Sequence, residues 1–192
     1  MPRVRSTDYQ RSKLYKVERI WWKHYEEQEK DVYGTPIRFA TLQEAQTYGN
    51  NAWRFYKKRI FPRSWLNNKP LRMKKTIGNS SWAMNTGGYY TNKKGISYVL
   101  IKLSIYHMKA EIALHEVAHH LAPKKAHHGG IFTKIYMLLL AQYLGWNLSY
   151  MCKIANEHNL DYHSNDEYLN SAFNRITKKE IEEEAKKLQG VA

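Results

Sequence analysis

Acidic residues are almost missing from the middle of this 192-residue chain. Between Ala45 and Asn156 the carboxylates are Glu111 and Glu116 alone, against 17 Lys and Arg, a balance of +15. The remainder of the chain carries −1, so essentially all of the net +14 lies in that stretch. Such a field attracts polyanions and repels basic ligands. Cysteine is nearly absent too. Cys152 stands alone, which excludes an internal disulfide and suits a reducing compartment. No run of eighteen apolar residues exists, so no membrane span is expected. Met1-Pro2-Arg3-Val4-Arg5 is followed by no apolar segment, so no secretory signal is read and a cytoplasmic location is expected. The chain is still 43% apolar, enough for one domain with a real core.

Against that background, two carboxylates in a basic stretch are conspicuous, and one sits between histidines. His115-Glu116-Val117-Ala118-His119 reads H-E-x-x-H. On a helix, residues i and i+4 project from one face a turn apart, so two imidazoles can share one Zn²⁺. Glu116 is then placed to act as general base on water at the metal. A surface helix with two solvated histidines is the competing reading. Ile112, Leu114, Val117, Ala118 and Leu121 give the segment an apolar side, which argues for burial, and Pro123 limits its length.

A catalytic zinc site needs a third protein ligand and an open position. His120 follows His119 directly and points about 100° away around the helix. His127 and His128 lie beyond the Pro123-Lys124-Lys125 break, where the chain can turn back. His128 opens the run His128-Gly129-Gly130-Ile131-Phe132, H-G-x-x-F, and is the preferred ligand. His127 is left to the surface or to a hydrogen bond with a ligand. Glu111, one turn before His115, either orients a ligand imidazole or serves as a first-turn acid. Tyr106, His107, Tyr136 and Tyr143 are candidates to stabilise an oxyanion, with nothing to choose among them.

These motifs resemble the minimal zincins, including the SprT-like zinc metallopeptidase domains. A closer similarity is to small metallohydrolases of actinobacteria and their phages. It rests on Asp8-Tyr9-Gln10-Arg11-Ser12-Lys13-Leu14-Tyr15, on His115 to His120, on His128 to Phe132 and on Leu144-Gly145. The chain departs from the pattern at Gly130, where a bulkier residue is usual. The resemblance covers about residues 8–160. It implies a zinc hydrolase, in particular a metallopeptidase, and an edge strand that aligns an extended peptide; it supplies no particular substrate, and a peptide or protein is the expected partner. Some relatives of the SprT-like kind act on DNA-bound proteins.

The expected fold is α+β and zincin-like: N-terminal helices, a small antiparallel sheet, the H-E-x-x-H helix, then C-terminal helices. Helices are expected at 9–31 and from a Thr41/Glu44 capping box to about residue 59. Turn signals from Gly78 to Gly95 separate three or four antiparallel strands between residues 71 and 103. Further helices are expected at 108–122, 130–144, 148–158 and, from a Thr177/Glu180 capping box, 177–188. Residues 1–160 then form one domain and 161–192 an extension with a charged helix.

Basic residues interleave with aromatics at Arg54, Lys57, Lys58, Arg59, Arg63, Arg72, Lys74 and Lys75, beside Phe55, Tyr56 and Trp65. Lys and Arg neutralise phosphates and aromatics stack on bases, so nucleic acid is a candidate partner. A solvated basic face over core aromatics is the plainer alternative. Two alternatives to the peptidase stand: a nucleic-acid-binding or virion-associated structural protein that keeps a zincin fold without turnover, and a zinc hydrolase of a non-peptide bond.

Overall fold

A computed structural model describes residues 8–27, 38–60, 69–77, 81–84, 90–123 and 126–188, with backbone alone at 58, 60, 82–84 and 181–188. The fold is α+β; among the described residues six helices surround a small mixed sheet. In α1 (Arg11–Glu27), Leu14, Val17, Trp21 and Tyr25 recur at helical spacing and are all buried. Residues 28–31 of the expected helix lie outside the described residues.

Helix α2 (Leu42–Ile60) starts at the expected box. Glu44 N donates to Thr41 Oγ1 at 3.2 Å, and Glu44 Oε2 accepts from Ala40 N at 2.9 Å. Gly49 lets the helix close on the sheet: a Cβ there would lie 2.2 Å from Met73 Cε. Among the strands, β4 (Ser97–Ser104) is central. Strand β1 (Leu71–Thr76) runs parallel beside it, Leu71 opposite Val99 and Thr76 opposite Ser104. Strands β2 (Trp82–Met84) and β3 (Tyr90–Thr91) pair antiparallel along its other edge. This corrects the expectation of a wholly antiparallel sheet. Tyr98, Val99, Leu100, Ile101 and Leu103 are all buried. A strand covered on both faces loses the alternation that signals an antiparallel meander and takes a neighbour on each side.

Helix α3 (Ala110–Leu121) carries H-E-x-x-H. It begins two residues later than expected, because Phe39 N donates to Met108 O at 2.9 Å and Arg38 bridges Lys109, which holds 108–109 extended. It stops at Ala122, extended ahead of Pro123. Helix α4 (Gly130–Leu144) has the expected bounds and ends on Gly145 in the left-handed region at φ 70°. Residues 132–140 of it are all buried, which makes it the central core helix.

Helix α5 (Leu148–Glu157) is capped by Asn147, whose Oδ1 accepts from Tyr150 N at 2.7 Å. Helix α6 (Glu167–Leu188) starts ten residues ahead of the expected position, just after Asp166, whose Oδ1 accepts from Leu169 N at 2.8 Å. Thr177 and Glu180 therefore form no capping box. Thr177 sits inside the helix and donates to Phe173 O at 3.2 Å. Glu180 instead reaches the start of α5, accepting from Leu148 N at 2.7 Å and Ser149 N at 2.9 Å. A carboxylate there meets the unpaired donors of another helix's first turn. Leu169, Ala172 and Phe173 join the same core as α3 and α4, so the first half of the C-terminal helix is packed on the body. Among the described residues, no helix is long and apolar enough to cross a membrane.

Candidate metal centre

His115 and His119 project from α3 with ring centroids 4.9 Å apart. The turn from Pro123 to Gly129 then brings in His128, 4.6 Å from the His119 ring and 5.4 Å from His115. In that turn Ala126 N donates to Pro123 O and Gly129 N to Ala126 O. His127 takes φ 45° and is exposed, which directs the next side chain inward. His127 thus shapes the turn, while His128 is buried. Phe132, wholly buried on the first turn of α4, packs 4.4–5.1 Å from all three imidazoles. That contact gives the phenylalanine of H-G-x-x-F its place.

One potential ligand atom from each of His115, His119 and His128 lies within 4.8 Å of the others. Nitrogens about 2.0–2.1 Å from one tetrahedral zinc stand about 3.3 Å apart, so small ring rotations suffice for all three to reach one ion. Two nitrogens of the trio, His128 Nε2 and His119 Nδ1, are buried without a hydrogen-bond partner among the described residues. Leaving such an atom unsatisfied costs about 1–3 kcal/mol, and a cation bound at His128 Nε2 removes that cost there. His120 Nδ1 is unpartnered as well, but Nε2 of that ring donates to Leu100 O at 3.1 Å, so His120 faces the sheet and not the trio. The three histidines are thus able to hold a metal ion.

Carboxylates orient two of the rings, and both come from the N-terminal segment. His115 Nδ1 pairs with Glu18 Oε1 at 2.8 Å, and His128 Nδ1 pairs with Asp8. Burial lowers the His115 pKa, but the charge and hydrogen bond of Glu18 outweigh it and hold the ring above its ordinary value. His119 is pushed far down by burial and by the neighbouring imidazoles, so it stays neutral. Burial also lowers His128, against the pull of Asp8. Neutral imidazole is the ligating form.

Glu116 is buried beside His115; burial raises the pKa values of Tyr15 and Tyr136, and the Glu116 charge adds to that rise and, behind Glu18, to the rise at His115. Glu111 does not meet a ligand ring through the contacts it makes here. Its carboxylate lies 3.5 Å from Lys109 Nζ, and its backbone oxygen accepts from Tyr136 OH at 3.4 Å. The place expected for Glu111 is taken by Glu18. Of the four oxyanion candidates, Tyr136 touches His115 at 5.2 Å but is wholly buried. Tyr106 and His107 are exposed, and Tyr143 meets Tyr48 edge-on at 5.9 Å. Tyr15, not among them, lies 5.5 Å from His128 and 6.1 Å from His115, with its hydroxyl accepting from Arg11 Nε at 3.3 Å.

Asp8, Glu18 and Tyr15 escaped the sequence reading of the site, although a signal was present. Glu18 sits in the apolar stripe Leu14, Trp21, Tyr25, where a carboxylate needs a partner. Gly130 also finds its reason. A Cβ there would lie 2.5 Å from His163 O and 2.8 Å from Asp161 Oδ2, so the tight seat of α4 on the 161–163 loop excludes a side chain.

The basic residues differ in exposure. Arg54, Arg59, Arg72, Lys74 and Lys75 are exposed. Lys57 is buried, its ammonium 5.8 Å over the Trp53 ring and donating to Lys69 O at 3.3 Å, which takes it off the expected phosphate-binding face. Arg59 covers Phe55 at 3.7 Å and Arg72 covers Tyr98 at 4.8 Å. Arg63 and the Lys58 side chain lie outside the described residues. Comparisons with family models, with curated proteins and with solved structures gave no match.

Proposed function

We propose that this chain is a zinc-dependent hydrolase of the minimal-zincin, SprT-like kind, acting on peptide bonds. The observation that carries the reading is the convergence of His115, His119 and His128 with Glu116 buried beside them. Three imidazoles, each neutral once it ligates, suit Zn²⁺ over Mg²⁺ or Ca²⁺, which prefer oxygen ligands. A bound zinc supplies Lewis acidity, polarising a carbonyl and acidifying water.

The protein's own groups do the rest. Glu116 accepts a proton from the attacking water and passes it to the leaving amine. Tyr15, with Arg11 behind its hydroxyl, donates to the oxygen on which charge develops. Phe132 and Tyr136 form a dry wall that strengthens these interactions. The outer edge of β1 is closed by Gln46, whose amide donates to Leu71 O at 2.9 Å and accepts from Met73 N at 2.6 Å. An extended peptide therefore adds along the β2 side of the sheet, the edge nearest α3.

A second reading adds nucleic acid as a partner, and an extreme form of it keeps the fold without turnover. It is favoured by the exposed Arg54, Arg72, Lys74 and Lys75 in a stretch of charge +15. A lone thiol and an acid-poor surface suit the cell interior or a phage particle. The test is cleavage of an unfolded protein by metal-analysed enzyme, with and without DNA. Chelator-sensitive cleavage restored by zinc supports the hydrolase. Stoichiometric zinc with salt-sensitive DNA retention and no cleavage of any unfolded protein supports the inert reading.

A further inference from the structure

We propose that the N-terminal segment 8–18 is a working part of the metal centre, in which Glu18 and Asp8 are positioning residues that aim the imidazoles of His115 and His128 at one ion. The inference rests on the metal-site reading, but not on turnover.

Both carboxylates meet the Nδ1 atom of their ring, which leaves Nε2 facing the trio. A carboxylate acceptor selects the tautomer with hydrogen on Nδ1, holds the ring plane, and makes Nε2 a stronger donor to a metal. Glu18 is 6% exposed on the core-facing side of α1, where a carboxylate without a partner is costly. Its partner is an imidazole 97 residues away. Asp8 precedes the same helix and reaches across 120 residues.

Gln10 fastens this segment to the third-ligand turn. Only 1% exposed, it shares its amide hydrogens among His128 O at 2.5 Å, Thr133 Oγ1 at 3.1 Å and Asp161 O at 3.0 Å. Its Oε1 accepts from Asp161 N at 3.0 Å. One buried side chain thus joins α1, the His128 turn and the 161–163 loop. Among the described residues His119 meets no such carboxylate, and it packs on Phe132. Two of the three ligands therefore depend on the docking of α1, and metal loading and α1 docking stabilise each other.

The full chain, carrying E18Q, D8N or, as a control on the same helix, E26Q, tests this. Glu26 pairs with Lys109, away from the trio. Zn²⁺ affinity is measured by chelator competition, and the imidazole Nδ1 protons by ¹⁵N-resolved NMR of the zinc-loaded protein. We expect affinity to fall 10–100-fold in E18Q and D8N and within twofold of wild type in E26Q. The downfield Nδ1–H signal of His115 should move in E18Q, and that of His128 in D8N. Amides of residues 11–18 should exchange faster when zinc is removed from the wild type. If E18Q fails to fold, D8N, which lies ahead of the helix, decides alone. Wild-type affinity in folded E18Q and D8N, with unmoved imidazole signals, overturns the proposal. A wild type that binds no zinc overturns the metal reading, and this proposal with it; zinc binding without hydrolysis leaves this proposal supported and removes only the peptidase.

Discussion

Glu18 Oε1 and His115 Nδ1 lie 2.8 Å apart, joining the core face of the first helix to the first histidine of the metal trio. The contact makes the N-terminal helix part of the site rather than a cover for it. On the proposed reading it also separates holding a metal from using it, because Glu116, one residue from His115, is assigned to the second task.

Replacing Glu116 by Gln should leave zinc content at the wild-type level and lower kcat by about 10²–10⁴-fold, the usual contribution of a positioned base. Elemental analysis and steady-state kinetics on one preparation check both halves. Unchanged kcat would remove Glu116 from the chemistry.

Tyr15→Phe should retain zinc and lower kcat by roughly tenfold to a hundredfold with little change in KM, as expected of a donor used mainly in the transition state. A change confined to KM would make Tyr15 a substrate contact instead.

His128→Ala should lose most bound zinc on gel filtration, while His127→Gly should retain it. Glycine adopts the φ of 45° found at residue 127 without strain. Zinc lost from the His127 variant and kept by the His128 variant would exchange their roles.

Gly130→Ala should destabilise the fold by about 1–3 kcal/mol in urea titrations, the range for overpacking a tight contact. The added carbon meets His163 O and the Asp161 carboxylate. A measurable drop in zinc affinity should accompany it, because that seat also fixes the His128 turn.

His120 sets part of the acid stability. Burial pushes its pKa from the ordinary 6.5 down to about 4. As pH falls below 6.5 the unfolded chain takes up a proton that the folded chain refuses until about pH 4. Stability is therefore complete above pH 6.5 and declines across that window, by up to about 3 kcal/mol at its acid end. In metal-free protein, His120→Gln keeps a donor for Leu100 O and should show a shallower decline. Parallel pH profiles for the two proteins would refute the assignment.

What could be read in advance is local. The i and i+4 spacing of His115 and His119, the break at Pro123, the Thr41/Glu44 start of α2 and the Leu144-Gly145 end of α4 each depend on residues within a turn or two of one another. The structure keeps all of them. The preference for His128 over His127 as the buried neighbour of the pair was legible for the same reason, since it turned on a short loop between two helices. The parallel course of β1, the reach of Glu180 to α5, and the pairing of Asp8 and Glu18 with ligand rings were not legible. Periodicity shows which side of an element is buried but not what it meets. Glu18 could be recognised as a carboxylate in an apolar stripe. Only the docking of α1 into the common core, across about a hundred residues of chain, placed the His115 imidazole in front of it.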